Sequence, residues 1–109
     1  MGELEIQVRN SIYEVTRELA YWSEKASQDS NNPIVQQAFN MIDEQYRNAY
    51  EEACAKYLDN KVGKTRFKKM YQNEIRQLVE NDAEKDHYSF IQSPYSSTIA
   101  VYQEWFRQS

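Results

Sequence analysis

The chain has 109 residues and a mass of 13.0 kDa, is 28% charged and 40% hydrophobic, and carries a formal net charge of −4. Its two glycines and two prolines are too few for the tight turns of a small β-sandwich or barrel, or for a phosphate-cradling loop. A single cysteine, Cys54, and a single histidine, His87, exclude an internal disulfide and a Cys/His zinc site within one chain; no metal or cofactor is expected.

The length suits one domain over 1–109. A mean hydropathy of −0.93 would suit disorder, but aromatics make up 14% of the chain, nine of them tyrosine, and disordered chains are poor in aromatics. Tyrosine counts as polar on such scales while burying a large ring, so a folded chain with an aromatic core is expected. Charge is uneven: residues 1–60 carry 5 basic against 11 acidic side chains, and residues 61–109 carry 8 against 6.

The first helix is predicted over about 3–27. Leu4, Val8, Ile12, Val15, Leu19, Trp22 and Ala26 recur at threes and fours along it, with Ile6, Tyr13 and Ala20 flanking. At 1.5 Å per residue it is roughly 35–40 Å long, enough to overhang a small globule and offer a dimer seam. Residues 27–32 (SQDSNN) read as a loop. Asn32-Pro33 then reads as a cap followed by proline in the first helical position. The second helix, 33–59, presents Phe39, Ile42, Tyr46, Ala49, Tyr50, Ala53, Cys54 and Tyr57, with small residues at 49 and 53 for a close neighbour.

The NKVG stretch at 60–63 breaks that helix, and a third over 64–80 buries Phe67, Met70, Tyr71, Ile75, Leu78 and Val79. Residues 81–92 lack a period and read as an irregular connection. Ser93-Pro94 repeats the cap-then-proline signal and starts a last helix over 94–107, burying Ile99, Tyr102 and Phe106 with Val101 and Trp105 alongside. The expected fold is all-α: a small bundle of three long helices and a shorter C-terminal one, with the first helix as a candidate dimer contact.

Catalytic chemistry finds little to stand on. Gly63-Lys64-Thr65 matches the end of a phosphate-binding loop, but the earlier glycine is Leu58 and no strand precedes it. Glu84 and His87 make one Glu-x-x-His step, where a carboxylate-bridged metal bundle needs two. Cys54 lies on the expected buried face without an activating base. The adjacent acids Asp43-Glu44 and Glu51-Glu52 splay by about 100° on a helix and read as a solvated face. No enzyme is expected.

Two signals favour contact with another macromolecule. Lys61, Lys64, Arg66, Lys68 and Lys69 place five positive charges in nine residues, at a helix start whose dipole opposes them. That placement calls for an anionic partner, or for pairing with Asp59 or Glu52. Tyr21, Trp22, Trp105 and Phe106 sit near predicted helix ends, too many rings for so small a core, and such residues are typical of protein interfaces.

No stretch approaches the ~20 apolar residues of a membrane span, the acidic start carries no signal-peptide pattern, and Ile6 replaces the Ser or Thr of a myristoylation signal. The cytoplasm is the expected compartment. Residues 52–80 (EACAKYLDNKVGKTRFKKMYQNEIRQLVE) and 95–106 (YSSTIAVYQEWF) resemble a loose group of uncharacterised small bacterial helical proteins, some membrane-anchored. The shared pattern is helix, short turn, Phe-x-x-x-Tyr helix, and a last helix ending in Trp. This chain departs from it with Gly63 in place of a capping Asp or Ser, and no anchor is expected in it. The resemblance implies bacterial or phage origin and a helical hairpin, and no catalytic residue. The expected function is therefore a non-enzymatic adaptor, regulator or inhibitor that binds a larger protein, or itself as a homodimer. The interaction residues would be Tyr21, Trp22, Lys61, Lys64, Arg66, Lys68, Lys69, Trp105 and Phe106. Two further readings are a cytosolic helical domain of a membrane-associated protein and a nucleic-acid accessory protein using residues 61–69.

Overall fold

A computed structural model describes residues 2–88 and 93–106. Helix α1 spans Glu3–Gln28, α2 Pro33–Leu58, α3 Lys64–Glu80 and α4 Ser96–Phe106, with a 3-10 turn at Lys85–Tyr88 between the last two. There is no strand among the described residues, so the fold is the expected all-α bundle of three long helices and a short one.

Local chemistry explains most of the boundaries. Asn32 Oδ1 accepts from the amides of Ile34 and Val35 at 3.0 and 3.4 Å, and Pro33 fills the first helical position, where its missing N–H costs nothing. Helix α2 ends in a paired closure: the Lys61 amide donates to the Lys56 carbonyl and the Asn60 amide to that of Tyr57. Asn60 takes the left-handed conformation this closure needs, with φ 61°. The helix breaker is therefore Asn60 rather than Gly63, whose φ is −67°. Replacing Asn60 with alanine, which disfavours that conformation, is expected to cost about 1 kcal/mol in urea unfolding.

The start of α4 corrects the sequence expectation. Ser93 Oγ accepts from the Tyr95 amide at 3.1 Å, so Ser93-Pro94 closes a local turn and the helix begins at Ser96. Its open N–H groups are capped from another helix: Glu51 of α2 accepts from the amides of Ser97 and Thr98, each at 2.9 Å, and from Thr98 Oγ1 at 3.0 Å. Glu51 is thus not part of a solvated acidic face. The connection expected to be irregular over 81–92 contains the 3-10 turn, and residues 89–92 of it lie outside the described residues, as does Arg107.

The second half of α2 is the hub. Tyr46, Ala49, Tyr50, Ala53, Cys54 and Tyr57 are all buried there, and Val8 and Ile12 of α1 belong to the same core. Helix α3 runs antiparallel to α2, with Tyr57 against Phe67 at 5.2 Å and Tyr50 against Tyr71 at 6.0 Å between ring centroids. Helix α4 runs parallel to α2 on another side, from Thr98 beside Glu51 to Trp105 beside Tyr57. Met70, expected in the core, is 47% exposed, because the burying face of α3 runs through Phe67, Tyr71, Ile75 and Leu78.

The first half of α2 has only α1 for company. From residue 13 to residue 45 not one side chain is buried. Val15, Leu19, Trp22, Ala26, Val35, Phe39 and Ile42 are half-covered, while Tyr13 and Ile34 are 61% and 76% exposed. The radius of gyration, 14.7 Å, exceeds the about 13 Å expected for a compact chain of this length. A two-helix arm extends from a four-helix body.

Candidate functional site

The residues singled out by sequence fall in three separate places. Tyr21 and Trp22 sit on the arm, where their rings meet edge-on at 5.1 Å and Lys25 lies over Tyr21 at 5.5 Å. Tyr21 is 54% exposed, and both rings border a broad open groove with Glu14, Arg17, Glu18 and Ile42.

The basic segment opens α3 at the other end of α1. Lys61, Lys64, Arg66, Lys68 and Lys69 are all exposed, and among the described residues none of them lies in an ion pair. Lys64 Nζ rests over the Tyr57 ring at 4.8 Å. Neither Asp59 nor Glu52 answers this charge. The acid at the α3 N-terminus is instead Glu5 of α1, whose Oε2 accepts from the Gly63 amide at 3.3 Å and whose Oε1 accepts from the Gly2 amide at 3.2 Å. These two N–H donors hold its carboxyl below the usual range.

Trp105 is not a surface residue. It is 8% exposed, its centroid lies 5.3 Å from Tyr57 and 6.0 Å from Phe67, and its Nε1 donates to the Tyr57 hydroxyl at 3.0 Å. That hydroxyl donates in turn to Glu104. Phe106 is half-covered, between Tyr102 and the Arg76 guanidinium.

A buried polar cluster went unforeseen. Arg47 is 8% exposed; its Nη1 donates to Asp43 at 3.0 Å and Glu84 at 3.2 Å, and its Nε to the Tyr95 hydroxyl at 3.1 Å. The cluster ties Glu84 and Tyr95 to α2. Burial and the neighbouring Asp43 push the Glu84 carboxyl up to about 7, against the pull of Arg47. His87 Nε2 lies 3.7 Å from the same Glu84 oxygen that accepts from Arg47, so the Glu-x-x-His step offers no free carboxylate. The Tyr88 hydroxyl beside this cluster is buried and has no hydrogen-bond partner among the described residues.

The raised Glu84 carboxyl fixes a sign. Its stabilising contribution is full below its ordinary value of 4.5 and is lost as pH rises through about 7. Stability to urea should fall by about 3 kcal/mol between those limits. Glu84→Gln should flatten that part of the profile; an unchanged profile would exclude Glu84 as its source.

Cys54 is fully buried, and burial pushes its thiol up to about 12, which disfavours the thiolate. Among the described residues no group of three or more His, Cys, Asp or Glu side chains is placed to hold a metal ion. Nor is any helix long and apolar enough to cross a membrane. Comparison of the chain with protein-family models, with curated proteins and with solved structures gives no match.

Proposed function

We propose that the chain is a non-enzymatic protein–protein interaction domain that works through its α1–α2 arm, and that the arm meets a second copy of the chain. One observation carries the reading: 33 consecutive positions, 13–45, hold no buried residue although they continue the apolar stripes of both helices. Helices bury such stripes only against another layer. Two arms stacked across a two-fold axis supply that layer, as an antiparallel four-helix bundle. Charge on the exposed side of α1 is mixed, with Glu14, Glu18 and Glu24 beside Arg17 and Lys25, so an antiparallel two-fold centred between residues 19 and 20 sets Glu14 opposite Lys25. Tyr21 and Trp22 provide the aromatic contact.

Light scattering on a sizing column at about 100 μM, a range in which micromolar dimers are populated, should give twice the 13.0 kDa chain mass. Trp22→Glu should return the single-chain mass with unchanged helicity. A wild type that stays monomeric would overturn the reading.

A further inference from the structure

The arm is not the only surface lacking a partner. Where α1 passes the start of α3, a recess opens over Val8, Val62, Phe67 and Tyr71, with Glu5, Arg9, Arg66 and Met70 at its rim. All four floor residues are buried, and Met70 is 47% exposed. The space is about 20 Å³, against roughly 10–15 Å³ for one water. It is a shallow, partly open recess with an apolar floor.

The rim carries two arginines against one carboxylate, Glu5. Arg9 and Arg66 are exposed and have no ion pair among the described residues. Glu5 feels the Arg66 charge, and its two oxygens accept from the Gly2 and Gly63 amides rather than from either guanidinium. Lys69 stands one helical step beyond Arg66 on α3, so the row continues basic. Arginine forks bind carboxylates in pairs of hydrogen bonds, and an adaptable methionine at the edge suits a peptide anchor.

We infer that this recess is a docking site for an acidic peptide segment of a partner protein, one apolar side chain seated on Val8, Val62, Phe67 and Tyr71 and flanking carboxylates paired with Arg9 and Arg66. The inference rests on the chain being a protein-binding domain, but its surface is separate from the arm, so each is tested alone.

Selection of a displayed library of random peptides of about 12 residues on the full chain provides the probe. Winners should carry Leu, Ile, Met or Phe flanked by Asp or Glu. By fluorescence anisotropy they should lose about tenfold or more in affinity to the Arg9→Glu, Arg66→Glu double variant, a loss of the size expected when two charge pairs become repulsive. Both substitutions are on exposed side chains, and circular dichroism checks the fold. Trp22→Glu should bind the winners unchanged, so loss of self-association through the arm reads out separately. The inference is overturned by winners without the acidic-apolar pattern, by equal binding to the double variant, or by a labelled single-stranded oligonucleotide binding more tightly than the winners.

Discussion

Trp105→Ala is expected to lower the free energy of unfolding by about 4 kcal/mol, within the range for removing a buried aromatic side chain. The indole touches both Tyr57 and Phe67 and closes the end of α4 over them. Its loss leaves a void at the meeting of three helices and removes the N–H donated to Tyr57. Trp105→Phe keeps most of the ring contact and forfeits the hydrogen bond, so it should cost about 1–1.5 kcal/mol. Urea titrations followed by circular dichroism separate the two. A cost below about 1 kcal/mol for Trp105→Ala, typical of surface changes, would put the indole outside the core.

Arg47→Ala is the second large effect, at about 3 kcal/mol. Desolvation of the guanidinium is offset by two carboxylates and a phenol hydroxyl. Removing it alone leaves Asp43 and Glu84 facing each other, and Glu84 and Tyr95 lose this tie to α2. The double variant Arg47→Met, Glu84→Leu should recover at least about 1 kcal/mol, since an apolar pair needs no compensation for buried charge. If the double variant is no more stable than Arg47→Ala, the cluster is not the source of the loss.

How far the sequence reaches depends on how local the cause is. The bounds of α3 and the start of α2 were legible because Asn32, Pro33 and the three-four spacing act within one or two turns. The start of α4 was not, because its cap is Glu51, 46 residues earlier in the chain. Nothing local in the sequence marks Arg47, four residues after Asp43, as buried; only the return of Glu84 and Tyr95 makes it a hub. Trp105 looked terminal and therefore exposed, whereas the end of a short helix can be the most enclosed point when two others converge on it. The arm shows the converse. Its apolar stripe reads the same on both sides of residue 13, and periodicity does not report that the third and fourth layers stop there.

Concentration-dependent hydrogen exchange tests the central claim most directly. At about 200 μM against about 1 μM protein, backbone amides across 13–45 should exchange at least tenfold more slowly, as association stabilises the arm by mass action. Amides of 46–57, already inside the body, should change far less. Arm exchange that is identical at the two concentrations would contradict the claim that this half of the helical pair is completed by a second chain.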